Sequence, residues 1–257
     1  PYVGHPEKTG IRKKIRLYNQ FMREHLGKEL PLYTTEWGFG TALGPRKQAE
    51  YMVRQALAMV AEDIKALIPF IMTPSRRQHK SGANHYGYVS YTYEPYPVFL
   101  AYANCARMID GGRFVGDLWM GEYVGAMLFE RNGVFTAVFW TDGDARTVSF
   151  DPGVETVTRV DIMGVEEKVE TGGGPLELTL TDDPVYLVGV SPQLEKETIV
   201  LDDMRKRWPH EQKEVVRTVP KAEAKPTIDG KIGADEWRDA LTLELTNDRS
   251  AVGRTSD

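Results

Sequence analysis

The sequence predicts an α/β segment followed by an all-β, antiparallel sandwich. Two observations carry this reading, and composition is consistent with it. From residue 1 to about 110, apolar residues recur at helical spacing with short apolar runs between them. From about 113 to 190 the period drops to two, and the runs are separated by turn signals at Asn132-Gly133, Asp142-Gly143, Asp151-Pro152-Gly153 and Gly172-Gly173-Gly174. The 257 residues, 41% hydrophobic and 27% charged, have room for one to two domains and exclude a disordered or collagen-like chain.

The elements follow in order. Ile11, Ile15, Tyr18 and Met22 fall on one face of a first helix, which Gly27 ends. Residues 29–36 become β-branched toward their end and read as a strand, broken by Gly38, Gly40 and Gly44. Pro45 suits the first turn of a second helix whose face carries Ala49, Met52, Val53, Ala56 and Val60. Residues 66–72 form a second apolar run, in which Pro69 is awkward for a central strand because it has no N–H to donate. Pro97 opens a third helix with Val98, Ala101, Tyr102, Cys105 and Ile109 on one face, stopped by Gly111-Gly112. Alternating helices and strands read as βα units around a parallel sheet, although this stretch is far shorter than the roughly 250 residues of a full eightfold barrel. Strands are then expected at 115–119, 124–130, 134–141, 146–150, 156–161, 166–170, 176–180 and 185–190. In the third of these, Phe135, Ala137 and Phe139 face one way and Val134, Thr136, Val138 and Trp140 the other. Residues 191–225 mix acids and bases and read as a solvated linker.

Composition also narrows the chemistry. Thirty-two Lys and Arg against 37 Asp and Glu give a formal charge of −5, which argues against nucleic acid as partner. No apolar run approaches the ~18 residues of a membrane span. A single cysteine, Cys105, excludes an internal disulfide and reads as a buried, inert thiol on its helix. No His or carboxylate spacing fits a metal, and no phosphate loop, dinucleotide fingerprint or Gly-x-Ser-x-Gly is present, so neither metal nor cofactor is expected. The chain opens on Pro1-Tyr2 although it has nine Met, which points to a piece of a longer protein.

The sharpest chemical signal is Tyr33-Thr34-Thr35-Glu36-Trp37-Gly38. A Glu at the C-terminal end of a strand in a βα array points into the mouth of the sheet, where such folds place active sites. Trp37 and Phe39 would offer aromatic faces to a ligand. His5, His79 and His85 fall on loops near the same end, and Tyr86, Tyr88, Tyr91, Tyr93 and Tyr96 form an aromatic run that reads as packing or as a stacking surface.

In order and spacing, these segments resemble the last βα units of the clan A glycoside hydrolases. Thr-Glu-Trp-Gly before a Gly-Pro helix entry is similar to their seventh unit. Pro1-Tyr2 looks like the end of strand six, and Tyr93-Glu-Pro-Tyr-Pro-Val-Phe-Leu-Ala-Tyr102 like the start of helix eight. Arg113–Asp117, Asp161–Gly164 and Asp183–Val188 resemble their exit into a β-sandwich and its signatures. The resemblance covers residues 1 to about 190. It implies a partial (β/α)8 barrel, holding the last two to three βα units, over 1–112 and an antiparallel β-sandwich over 113–190. It also implies retaining hydrolysis of a glycosidic bond in an oligo- or polysaccharide, outside the cytoplasm in the extracellular space or periplasm. By the same resemblance Glu36 matches the nucleophile, Tyr2 a tyrosine that bonds it, and Trp37, Phe39 and His5 fall where substrate contacts lie.

The sequence departs from that pattern at two places. The Asn-Glu that carries the clan's acid/base is absent, so that carboxyl is expected outside this chain. Where relatives often carry Trp at the end of strand eight, the stretch reads Ile71-Met-Thr-Pro-Ser-Arg-Arg77. Residues 225–237 resemble the opening of family 9-like carbohydrate-binding modules, with Ile228, Ile232 and Trp237 as core, so 226–257 read as the truncated start of a second sandwich. The alternative reading is a non-catalytic carbohydrate-binding or structural protein on a degenerate glycosidase scaffold. Inverting or transferring chemistry on the same scaffold is a third.

Overall fold

The computed structural model describes residues 5–76 and 86–201. The chain divides into two units, Pro1–Glu211 and Gln212–Asp257, and the described residues all belong to the first. Tyr2, His79, His85, Trp237 and the module-like segment lie outside the described residues.

A 3-10 turn, Pro6–Thr9, leads into α1, Ile11–Leu26. Strand β1, Tyr33–Trp37, is followed by α2, Pro45–Val60, then β2, Ala66–Pro69, and α3, Pro97–Ile109. β1 and β2 pair in parallel, with Tyr33 opposite Ala66 and Thr34 opposite Leu67. Pro69 is accommodated because it closes β2 rather than sitting inside it.

The helix faces follow their periodicity with one exception. Ala49, Met52, Val53 and Ala56 of α2 and Val98, Ala101, Cys105 and Ile109 of α3 are buried. On α1, however, Tyr18 is 64% exposed, and the residue that is buried beside Ile15 is Arg12. A charged side chain takes that inner position because acidic partners wait for it.

The β region opens with β3, Arg113–Asp117, β4, Val124–Arg131, β5, Val134–Thr141, and β6, Arg146–Phe150. It continues with β7, Thr156–Val160, β8, Glu166–Glu170, β9, Leu176–Leu180, and β10, Val185–Val190. All pairings are antiparallel. Six strands form one sheet in the order β3-β4-β5-β10-β7-β8, and β6 and β9 form a second layer. Asn132 and Gly133, at φ 52° and 81°, make the tight turn between β4 and β5.

The six-stranded sheet is covered on both faces. Phe135, Ala137 and Phe139 join Leu128, Leu180 and Leu187 between the two sheets. Val138 and Trp140 point the other way, into a core shared with Met52, Leu57, Val98 and Cys105 of the helices. Here the expected sandwich is lopsided, since α2 and α3 rather than strands cover much of one face.

The charged stretch after residue 190 does not leave the sandwich at once. Ser191 caps a 3-10 turn, Pro192–Glu197, and Leu194 and Leu201 are buried. Ile199 and Asp117 exchange two backbone hydrogen bonds of 2.8 Å. As far as Leu201 this segment is part of the sandwich edge, because its few apolar residues find a place on β3.

Candidate active site

β1 and β2 run in the same direction, so their C-terminal ends share one rim. Their register is irregular between Thr34 and Trp37. Glu36, between them, stays exposed, while Trp37 turns into the core. The chain beyond β1 is tied to the chain beyond β2. Phe70 N donates to Trp37 O at 2.8 Å, and a Cβ on Gly38 would stand only 2.9 Å from Phe70 O. Gln48 of α2, fully buried, donates from Nε2 to Phe39 O at 2.9 Å and to Gly87 O at 3.4 Å, joining the two loops.

Two expected contacts take other roles. Trp37 and Phe39 are 4% and 2% exposed. Trp37 lies against Tyr102, with ring centroids 6.0 Å apart, and Phe39 meets Tyr51 edge-on at 5.3 Å. Both are core residues, because the loop folds back over α2 instead of opening to solvent. Phe70, the first residue beyond β2, is 41% exposed, and its ring lies 6.2 Å from that of Tyr86. The tyrosine run also divides: Tyr88 is buried, whereas Tyr91 and Tyr93 are 39% and 78% exposed.

His5 is drawn into a buried charge network. Its Nδ1 lies 2.6 Å from Asp142 Oδ1, and its ring packs near Tyr51 at 5.3 Å. Asp142, from the turn after β5, also accepts from Arg54 Nη2 at 2.9 Å. Arg54 reaches Glu7 through Nε at 2.7 Å and Nη2 at 2.5 Å, and Trp140 Nε1 donates to Glu7 Oε1 at 2.9 Å. Burial opposes the Asp142 charge, but the hydrogen bond from His5 and the Arg54 guanidinium outweigh it, so its pKa falls below the usual carboxylate range. Burial likewise opposes the Arg54 charge, and Glu7 and Asp142 more than compensate, raising its pKa. The Tyr51 hydroxyl is pushed up to about 12 by burial, so the ring under Arg54 and Lys47 is neutral.

The donor atoms of His5, Glu7 and Asp142 come within 4.8 Å of one another, close enough to suggest a cation site. The chemistry speaks against it. Arg54 already bonds both carboxylates, and a metal would have to displace a guanidinium held by three hydrogen bonds.

A second buried network joins α1 to β3. Arg12 donates from Nη1 to Asp117 Oδ1 at 2.9 Å and from Nε to Glu62 Oε1 at 2.6 Å. Arg16 also binds Glu62, at 2.6 and 2.7 Å, and reaches Leu201 O at 2.7 Å. Sequence reasoning missed both networks. The available signal was an arginine within the apolar stripe of a helix, at Arg12 beside Ile11 and Ile15 and at Arg54 beside Val53.

Neither family models nor curated proteins give a match to this chain. Solved structures do. A family 39 glycoside hydrolase from the gut symbiont Bacteroides cellulosilyticus WH2 is similar with a TM-score of 0.57 at 22% identity, over 69% of this chain and 38% of that one. A GH30 endoxylanase from Clostridium papyrosolvens C71 gives 0.51 at 16% identity, over 70% of this chain and 46% of that one. The chain thus shares a fold with part of these enzymes and spans less than half the length of each.

Proposed function

We propose that this chain is part of a retaining glycoside hydrolase in which Glu36 is the nucleophile. The observation that carries the reading is the position of Glu36. It is an exposed carboxylate at the C-terminal end of a parallel strand, on a fold shared with solved glycoside hydrolases. Active sites of βα folds lie at that end.

The surroundings support a larger barrel. β1 and β2 are a two-stranded parallel sheet, with Tyr33 57% and Ile68 53% exposed. Parallel sheets are covered on both faces in folded proteins, so this pair needs further βα units beside it. In such a barrel a second carboxyl, about 5–5.5 Å from Glu36, protonates the leaving oxygen while Glu36 attacks the anomeric carbon. That second group then activates water to release the sugar. It belongs to a part of the parent protein beyond these residues, as does the remainder of the substrate cleft. Tyr2, outside the described residues, keeps the role that the resemblance implies, a tyrosine that bonds the nucleophile. Trp37 and Phe39 support the rim from below, and His5, oriented by Asp142, keeps a half-exposed ring on the segment that follows Tyr2.

Two measurements test this. In the full-length parent, Glu36→Gln should abolish turnover of aryl glycosides with an unchanged melting temperature. An active variant removes Glu36 from the mechanism, and a parent with no activity on any glycoside favours the non-catalytic carbohydrate-binding reading. The isolated 257-residue chain should show no turnover, because half of the carboxyl pair is elsewhere.

A further inference from the structure

The first turn of α2 carries charge of the wrong sign for a helix start. Arg46 and Lys47 follow Pro45 directly, and no acidic residue stands in that turn. A helix macrodipole is positive at its N-terminus, so two cations there weaken the helix taken alone. The compensation comes from the sandwich, where Asp182 and Asp183 occupy the turn between β9 and β10. Arg46 donates from Nε to Asp183 Oδ1 at 2.9 Å and from Nη2 to Asp183 Oδ2, and Lys47 Nζ donates to Asp182 Oδ2. Asp182 is itself held by Gly143 N, which donates to its Oδ1 at 2.7 Å from the turn after β5. Both pairs are partly exposed, so each adds little to stability. What they fix is the place of the helix start.

The next residue is Gln48. Its Nε2 serves two carbonyls, Phe39 O in the loop after β1 and Gly87 O in the segment after β2. A primary amide suits this buried place because one neutral nitrogen supplies two donors. Its Oε1 is buried without a hydrogen-bond partner among the described residues. An orphaned buried acceptor costs stability, so the amide is kept for its donor side. Those donors complete the bracing behind Glu36. Phe70 N reaches back to Trp37 O, and Tyr88 N, beside Gly87, donates to Met72 O at 2.9 Å. A continuous route thus runs from Asp182 and Asp183 to the first turn of α2, through Gln48 to Phe39, and along the backbone to Glu36.

We propose that Gln48 is a positioning residue for Glu36, and that the sandwich takes part in catalysis through it, because the Asp182-Asp183 turn sets where the first turn of α2 stands. This rests on the reading of Glu36 as nucleophile. Gln48 acts from behind, on the loop that follows Glu36, and not on the reacting atoms. A reacting group misplaced by about 1 Å loses up to about a hundredfold in rate in a fold that is otherwise intact.

The test compares two variants of the full-length parent in steady-state turnover of an aryl glycoside and in amide hydrogen exchange. Gln48→Met keeps the length of the side chain and donates nothing. It should lower kcat about tenfold or more with KM within about twofold of native. The amides of Phe70 and Tyr88 should exchange faster, while those of α3 keep their native rates. Arg46→Ala with Lys47→Ala unpins the helix start and removes the cations that the macrodipole disfavours. Its melting temperature should stay level, yet kcat should fall and the same two amides should exchange faster. A loss of rate without a loss of stability separates positioning from a merely structural role. Native kcat in Gln48→Met, or native kcat and exchange in the double variant, would overturn the proposal. Where Gln48→Met does not fold, the double variant decides by the same readings. An active Glu36→Gln fails the nucleophile reading, whereas native kcat in Gln48→Met beside an inactive Glu36→Gln fails this inference alone.

Discussion

Arg54 has no accessible side-chain surface, yet it is charged, and its cost is offset only because Glu7 and Asp142 are placed around it. Removing the arginine strands two buried carboxylates, so Arg54→Met is expected to destabilise the fold by about 3–5 kcal/mol in urea unfolding. Arg107→Ala, which breaks a half-exposed pair with Glu166, should change stability by no more than about 0.5 kcal/mol. Asp142 makes the network sensitive to acid. Its pKa is depressed in the fold, so its contribution is complete above the unfolded value near 3.9 and is lost as pH falls below that toward the folded value. The stability gap between the native protein and Asp142→Asn should therefore be flat from pH 7 to about pH 5 and shrink below about pH 4 in thermal unfolding. A gap that widens in acid would contradict this account.

At the scale of elements, β1 and the loop behind it decide where Glu36 stands. A regular strand would alternate Glu36 and Trp37 without constraint from the neighbouring loop. Here Trp37 lies inward and Gly38 sits directly on the Phe70 carbonyl. Gly38→Ala puts a methyl carbon 2.9 Å from that oxygen and should cost about 1–3 kcal/mol. A variant with native stability would show that the loop yields without cost. α2 plays a different part. Its apolar stripe was plain in the sequence, but Gln48, Glu50, Arg54 and Gln55 are buried too, so the helix is enclosed on nearly all sides. Periodicity reads only an apolar face, and so it cannot register a polar face that is buried by matched partners.

At the scale of the molecule, the six-stranded sheet carries a core on each face, one with β6 and β9 and one with α2 and α3. The helices and the sheet therefore act as one folding body, tied further by Arg12 to Asp117 and Arg54 to Glu7 and Asp142. Residues 113–201 produced alone would expose Met127, Phe129, Val138, Trp140 and Tyr186 to water. Such a fragment should bind a hydrophobic dye more strongly than residues 1–201, in which α2 and α3 cover that face. A dye-free fragment would show that the sandwich is independent of the helices.

Much of this protein was determined by local patterns. The strands from Val134 to Val190 follow their alternation and turns to within a residue, because a two-residue period and an Asn-Gly turn specify register by themselves. The end-of-strand position of Glu36 was also legible, since it needs only a strand, a glycine and a helix start. Tertiary structure alone decided what each side chain does there. It buried Trp37 and Phe39, set Phe70 and Tyr93 in the open, and brought His5 and Asp142, 137 positions apart, within 2.6 Å. The physical reason is that sequence spacing fixes direction along one element, while burial and charge pairing depend on which other elements arrive beside it.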